Sequence, residues 1–443
     1  MVKGIMRTIF SSFLGKVGFF LLLAFGIAAV VVTVVFPPDF GQRIWNNPVY
    51  WADYPKTAIP SWWPEAGGKA QHQVLIATTP TNMTEEGAGK TLEYRFAVGI
   101  SSQSDPKFLS FSISHLQFQD VSPVIAVLIE QDGQFLPLYS YVVPDRFSGE
   151  KSPISRYATE PFRVQLTSDY QAEGMVKELL SGLRNRGQDR FTAVVRLNFA
   201  SREDSVEEVR FIAGGESFGW LGTDDLGRDV ATGILAGLPI ELLIGFVVAF
   251  SATALGAVIG TASAYFGGWV DLITQRVIDV LTMVPTLPIV MFLVFAFGAN
   301  LAYIILFLIV FGWTGLAIQI RPWIMQIQAE GFITMAKARG LSDKRIIVRH
   351  LLPQTLPFLF VTFTFSIPGA ILSEAGLSFL GLGDPSVPTW GQMLQQGFRT
   401  GAIYLGYWWW ILAPGLAIVL TSLAPALIAQ SLEPYTEPRL RRG

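Results

Sequence analysis

The chain has 443 residues, 51% of them hydrophobic and 15% charged, with a net charge of −2, no cysteine and a mean hydropathy of +0.43. Soluble domains carry about a quarter charged residues, so an ordinary globular enzyme is excluded for much of the chain, and the near-zero charge argues against a nucleic-acid binder. Without cysteine there are no disulfides, thiolate zinc sites or cysteine nucleophiles, and the compartment stays open.

A charge at the bilayer centre costs about 2.5–3.5 kcal/mol, so membrane spans read as gaps between charged residues. The first gap holds 22 residues, from Lys16 to Asp39. It is too long for the core of a secretory signal and ends in Phe36-Pro37-Pro38, so it is read as a retained signal anchor. Four further gaps follow: 29 residues from Glu241 to Asp271, 41 from Asp279 to Arg321, 23 from His350 to Glu374 and 33 from Arg399 to Glu433. A crossing needs about 20 residues. The 41-residue gap therefore holds two, reversing at Gly298-Ala299-Asn300, and the prediction is six crossings. Pro285 and Pro288 predict a kink in the third. Ala252, Gly256, Gly260 and Ala264 make a flat stripe on the second, facing either a partner or the chain's own core. With the N-terminus inside, thirteen lysines and arginines fall on the cytoplasmic side against Arg399 alone in the two short outer loops.

The segment from Asp39 to Asp229 holds 18 of the 32 basic and 25 of the 34 acidic residues and is expected to be a water-exposed outer domain. Its apolar residues alternate, as in Tyr94, Phe96, Val98 and Ile100 and in Phe191, Ala193, Val195, Leu197 and Phe199, which predicts strands. Residues 123–130 and 135–142 flank Gln131-Asp132-Gly133-Gln134 as a hairpin. One helix is expected over about 171–185, giving a mainly β, sandwich-like domain. Trp45, Trp51, Trp62 and Trp63 precede it in irregular chain, read as membrane-interface residues ahead of a ligand grip. His72 and His115 lie far apart in sequence, so no metal or catalytic cluster is expected.

Between the fourth and fifth crossings, Thr334-Met335-Ala336-Lys337-Ala338-Arg339-Gly340 reads as a short helix ended by a left-handed glycine. Ser342 then caps a second short helix with Asp343 in its first turn. A basic helix lying on anionic lipid is the plain reading of that segment. From Ala336, however, Gly340 follows four residues on, and nine residues later comes His350-Leu351-Leu352-Pro353. This run resembles the coupling-loop motif of binding-protein-dependent ABC importer permeases, with Thr334 and Met335 standing where the family usually has Glu and Ala.

Further stretches narrow the resemblance. Leu221-Gly222-Thr223-Asp224-Asp225-Leu226-Gly227-Arg228-Asp229 precedes the second crossing, and Ala264-Tyr265-Phe266-Gly267-Gly268-Trp269-Val270-Asp271 follows it. Ser373-Glu374-Ala375-Gly376-Leu377-Ser378-Phe379-Leu380-Gly381 follows the fifth, with Pro388-Thr389-Trp390-Gly391 beyond. These resemble the C-type permease subunits of dipeptide, oligopeptide and nickel importers over about 218–434. Family members usually have a much shorter segment between the first two crossings.

The resemblance implies a polytopic α-helical membrane protein with six transmembrane helices, the type I ABC importer permease fold, carrying a large mainly-β extracytoplasmic domain between helices 1 and 2. The expected divisions are 1–38 for the N-terminus and helix 1, 39–217 for the insertion, 218–434 for the permease core with its cytoplasmic loop at 322–356, and 435–443 for a cytoplasmic tail. ATPase coupling is expected at Thr334, Ala336, Lys337, Ala338, Gly340, Ser342, Leu352 and Pro353. An outer gate or structural motif is expected at Gly222, Thr223, Asp224, Gly227, Arg228, Asp229, Glu374 and Gly376. For the aspartate cluster a structural lock outweighs a substrate site. For Glu374 two readings stand level: it meets a peptide's amino terminus, or it accepts N–H bonds from the glycine-rich turn.

The chain has no Gly-x-x-x-x-Gly-Lys-[Ser/Thr] loop, so no cofactor is bound directly, and ATP with Mg is expected on two partner ATPase subunits or one heterodimer. The other implied partners are a B-type permease subunit, an extracytoplasmic solute-binding protein and the lipid bilayer of a prokaryotic inner membrane, with no nucleic acid. No catalytic or metal site is predicted. The rival readings are an ion-coupled carrier and a membrane-anchored receptor or scaffold; the first is disfavoured by spans nearly free of ionisable residues.

Overall fold

Between Gly15 and Ile9, and between Gly18 and Ala424, the backbones come so close that a Cβ on either glycine would lie within 2.6 Å of a carbonyl oxygen. That kind of approach organises the helical part of the computed structural model. The structure describes residues 2–67, 69–101, 104–118, 121–131, 134–143, 156–157, 162–165, 177–178, 180–183, 185 and 187–436. They fall into two units, one made of 1–47 and 232–443, the other of 48–231.

In the first unit a short helix, α1 (Val2–Ser11), leads into α2 (Phe13–Val35). α2 stops where Phe36, preceding Pro37, turns to an extended conformation, as the proline ring requires of the residue before it. α3 (Val230–Phe266) is followed by α4 (Gly268–Met283), α5 (Thr286–Phe297) and α6 (Leu301–Gln328). Two short helices come next, α7 (Gly331–Ala338) and α8 (Asp343–Ile346). A π turn, Ile347–Leu351, joins α8 to α9 (Leu352–Phe379), and α10 (Trp390–Arg399) and α11 (Trp408–Thr436) complete the unit.

Five of these helical stretches are long and apolar enough to cross a membrane, Phe13–Val35, Val230–Phe266, Leu301–Gln328, Asp343–Phe379 and Trp408–Leu432; the bent pair α4 and α5 makes a sixth if it counts as one span. The chain is thus a polytopic helical membrane protein, and large side chains such as Val34, Phe292 and Phe295 point outward where lipid is the solvent. The reversal expected at 298–300 is present. Gly298 takes φ +83° at the end of α5, and the Asn300 side chain caps α6 by accepting from Ala302 N at 2.8 Å. The kink expected at Pro285 is a break of 78° between α4 and α5.

The span limits differ from the charge gaps for one physical reason. The charge gaps end at Glu241, Asp271, Arg321 and Glu374, yet α3 begins eleven residues before Glu241, α6 continues past Arg321 to Gln328 and α9 continues past Glu374 to Phe379. A charge paired or hydrogen-bonded inside the protein need not reach water.

The glycine stripe faces the chain's own core. A Cβ at Gly256 would lie 2.7 Å from Trp313 O, and one at Gly260 would lie 2.5 Å from Ile320 Cγ2 and 2.9 Å from Ala317 Cα, so α3 and α6 pack backbone to backbone. Gly260→Leu is expected to push these helices apart at a cost of about 1–3 kcal/mol, read as a lower melting temperature of the purified chain, with Gly315→Leu, which meets open space, as the neutral control.

The second unit is a β sandwich. Its strands are β1 (Gln73–Ala77), β2 (Asn82–Glu86), β3 (Gly89–Gly99), β4 (Phe108–Ser114), β5 (Gln117–Phe118), β6 (Val124–Gln131), β7 (Gln134–Val142), β8 (Arg156–Tyr157), β9 (Phe162–Gln165), β10 (Arg190–Phe199) and β11 (Glu208–Gly214). One antiparallel sheet runs β2-β3-β10-β6-β7, the other β1-β11-β4-β9, and β5 pairs with β8. The alternating rows do what their period demands: Tyr94, Phe96 and Val98 on β3 and Phe191, Ala193, Val195, Leu197 and Phe199 on β10 share one buried core with Phe111 and Phe211 from the other sheet. The predicted hairpin is β6–β7, in register from Gln131↔Gln134; its Asp132-Gly133 turn lies outside the described residues, as does most of the predicted helix 171–185.

Within this unit the His72 ring packs against both Tyr54 and Phe218, with centroids 6.0 and 5.5 Å away. Burial pushes its pKa down to about 4. An unfolded histidine titrates near 6.5, so between pH 6.5 and 4 the unfolded chain takes up the proton first. The stability that His72 confers is complete above pH 6.5 and is lost as pH falls towards 4. His72→Phe is expected to flatten that part of the pH dependence in melting curves of the chain.

Candidate functional site

The segment read as an ATPase-coupling loop consists of two short helices set at the end of α6. α7 is amphipathic over two turns: Ile333 and Ala336 are buried against Ile320, Ile324, Ile346, Leu351 and Leu359, while Phe332, Thr334, Met335 and Ala338 face outward. Met335 is 61% exposed, so this face offers an apolar surface flanked by Arg339. α7 ends because Gly340 takes φ +75°, after which Gly340 N and Leu341 N close on Lys337 O and Ala336 O at 2.9 and 3.2 Å. Ser342 holds the N-cap position of α8, where its carbonyl, not its hydroxyl, takes the first bonds, from Arg345 N at 2.9 Å and Ile346 N at 3.0 Å. Leu352 and Pro353 open α9, with the proline in the first turn where no N–H is missed.

Residues that the sequence reading left without a role complete this end of the unit. Tyr265 OH, in the last turn of α3, donates to Asp343 Oδ1 at 2.6 Å, and Gln328 Nε2 donates to Tyr265 O at 3.1 Å. The Lys337 ammonium lies 4.8 Å from the Tyr265 ring centroid. Arg321 grips Asp271 through Nε at 2.8 Å and Nη2 at 2.6 Å, and Ser263 Oγ donates to the same carboxylate at 2.6 Å. The signal for these pairs was present in the sequence as charges and a tyrosine at the ends of apolar runs; their partners are 50 and 78 residues away and have no local signature.

The Gly222–Asp229 motif is a knotted turn in the second unit. Asp224 Oδ1 accepts from Leu226 N and Arg228 N at 2.9 and 2.8 Å, and Oδ2 takes Arg228 Nε at 2.5 Å, with both side chains buried. Burial pushes the Asp224 carboxyl up while the Arg228 guanidinium pulls it down. Thr223 Oγ1 donates to Pro55 O and accepts from Ala58 N at 2.8 Å, and Asp229 Oδ1 accepts from Ala231 N at 3.2 Å. Gly222 and Gly227 supply φ +69° and +85°, and at Gly227 a Cβ would also lie 2.9 Å from Tyr54 O. These bonds tie the turn to itself, to the adjoining 54–58 segment and to the first residues of α3.

Glu374 is fully buried in α9 and accepts from Ser378 Oγ one turn on, at 2.6 Å; neither a glycine-turn N–H nor open space meets that carboxyl. Its neighbour is Glu241 of α3, also fully buried, which accepts from Trp390 N at 3.1 Å and so caps α10 at its positive end. The Oε2 atoms of both glutamates are buried without a hydrogen-bond donor. Two carboxyls side by side in an apolar setting repel when both are charged. Glu241→Gln keeps the acceptor for Trp390 and offers Glu374 an N–H, so it is expected to leave stability unchanged or raise it by roughly 1 kcal/mol in thermal unfolding. Gly376, two residues after Glu374 in α9, lines a cavity of about 610 Å³ together with Val248, Thr286, Phe307, Ser366 and Ser373.

The model of the binding-protein-dependent transport system inner membrane component matches residues 252–442. The dipeptide transport system permease protein DppC of Bacillus subtilis (strain 168) is 38% identical over 224 residues, which is 50% of this chain and 69% of that protein. The glutathione transport system permease protein GsiD of Escherichia coli O1:K1 / APEC is 34% identical over 223 residues, 50% of this chain and 73% of the relative. The oligopeptide transport system permease protein OppC of Bacillus subtilis (strain 168) is 31% identical over 224 residues, 50% of this chain and 72% of the relative.

Proposed function

We propose, since the chain belongs to the binding-protein-dependent inner-membrane permeases of ABC importers and is a C-type subunit among them, that it moves peptides or similarly small solutes through the membrane as one half of a permease pair. The observation that carries the coupling is α7: an eight-residue helix anchored by Ile333 and Ala336 that leaves Phe332 and Met335 uncovered. An apolar patch with basic neighbours on a protruding helix suits the groove of an ATPase subunit. ATP hydrolysis then belongs to two partner ATPases or a heterodimer, and the solute arrives on a binding protein. The relatives, named for dipeptide, oligopeptide and glutathione transport, favour peptides as the cargo class.

The basic residues favour an inner-membrane orientation with N- and C-termini in the cytoplasm, six crossings with α4 and α5 taken as one, and the β unit on the outer side. There the sandwich would meet the binding protein or the partner permease. The cavity lined by Thr286, Ser366 and Ser373 offers hydroxyls in an otherwise apolar wall, suited to a solute in transit. The test is reconstitution in proteoliposomes with the second permease, the ATPases and the binding protein. ATP-driven uptake of a labelled dipeptide or oligopeptide is expected with the full set, and no ATP hydrolysis from the purified chain alone. Hydrolysis by the pure chain would overturn the reading.

A further inference from the structure

We propose that Tyr265 is a positioning residue that latches both loop helices to α3, so that displacement of α7 is passed to the membrane helix rather than absorbed by the loop. The inference rests on the coupling role given to α7 above and assigns a part to a tyrosine that role does not use.

Tyr265 touches each element at this end of the unit through a different group. Its hydroxyl donates to Asp343 Oδ1 at 2.6 Å, which holds the first residue of α8. Its ring face receives the Lys337 ammonium of α7 at 4.8 Å. Its carbonyl accepts from Gln328 Nε2 at the end of α6, at 3.1 Å. The ring itself is buried in the same cluster as Ile333 and Ala336 of α7 and Ile346 of α8.

The fixings differ in kind, which decides what the latch can do. The apolar contacts are non-directional and tolerate sliding. The tyrosine–carboxylate bond is charge-assisted and directional, and so fixes α8 against α3 in one register. The cation–π contact adds a second point, on the other side of Gly340. With α7 and α8 both fastened to one side chain, the bend at Gly340 cannot open without breaking one of the two. The Asp271–Arg321 clamp, which Ser263 of α3 also joins, sits one to two turns away and ties α4 to α6, so the directional bond from α3 to α8 is the one that Tyr265 makes.

Tyr265→Phe removes the hydroxyl and keeps the ring, its packing and its face for Lys337; Asp343→Ala removes the acceptor at the other end. Because the chain has no cysteine, a single Met335→Cys carries a spin label on α7 without background. In the full chain in nanodiscs, the label is expected to become more mobile in Tyr265→Phe and in Asp343→Ala, and no more mobile again in the double variant, since both remove the same bond. In the complete importer, solute moved per ATP is expected to fall about tenfold in each single variant and no further in the double, the factor for one charge-assisted hydrogen bond. Co-purification of the ATPases and the melting temperature are expected to stay at the wild-type level.

Wild-type label mobility in both single variants, or transport losses that multiply in the double, would overturn the latch. So would a loss of transport that merely follows a loss of bound ATPase. A wild-type assembly that moves no solute on ATP would overturn the functional reading itself, and the mobility measurement, made without partners, separates the two failures.

Discussion

Gly340→Val is expected to abolish ATP-driven uptake while leaving the fold of the β unit intact. Gly340 stands at φ +75° between α7 and α8, and nothing lies within 4 Å of where its Cβ would be, so the effect of the substitution is confined to the backbone. A β-branched residue in that conformation costs about 1–3 kcal/mol, enough for the turn to adopt a different path. α8 would then leave the register in which Asp343 meets Tyr265, and the outward face of α7 would be re-aimed. Gly340→Asn, whose side chain tolerates the left-handed region, is expected to retain most of the uptake. Uptake assays of both variants, with binding-protein affinity measured alongside, check the expectation; wild-type uptake in Gly340→Val would remove this turn from the mechanism.

Asp224→Asn is expected to produce the largest loss of stability, about 3–5 kcal/mol, the range for breaking one side of a buried ion pair. The asymmetry of the pair is what makes this partner the costly one. Arg228 cannot shed its proton, so removal of the carboxylate leaves a buried guanidinium without its Asp224 counter-charge, whereas removal of Arg228 leaves a carboxyl that can become neutral. Asparagine also holds only one of the two oxygens that now serve Leu226 N, Arg228 N and the guanidinium. Replacing both partners, Asp224→Leu with Arg228→Met, is expected to cost less than Asp224→Asn alone. Thermal unfolding of the three variants gives the order, and a melting temperature of Asp224→Asn equal to wild type would mean that the turn is held by its backbone bonds alone.

Where the physics is local, the sequence was legible. The period of two in Phe191, Ala193, Val195, Leu197 and Phe199 placed five side chains in one core because a strand has no other way to bury them. Gly298 and Asn300 marked a helix reversal through backbone freedom and a side-chain cap, both readable from residue type. Gly340 was legible for the same reason.

Charges inside the helices have no such local signature, because an ionisable residue that finds a partner within the protein does not end a span as one that seeks water does. Glu241 is buried as the cap of α10, with its acceptor bond to Trp390 149 residues away in sequence. Arg321 and Asp271 satisfy each other across 50 residues. No local pattern encodes such pairings. The stripe from Ala252 to Ala264 is intermediate: the spacing of four announces a close helix neighbour, but only the packed structure identifies α6 as that neighbour. Pro285 announced a bend, and its size depends on what lies on either side of it.

That bend has a consequence for the lipid. α5 has 12 residues, about 18 Å at the helical rise, against a hydrocarbon thickness of about 30 Å. α4, turned 78° from it and carrying Asp271, Arg276 and Asp279, cannot make up the difference with apolar length. α2, with 23 apolar-rich residues, reaches about 34 Å. The belt around the protein is therefore of unequal height, and shorter acyl chains are expected to gather beside α4 and α5, where the bilayer has to thin to meet it.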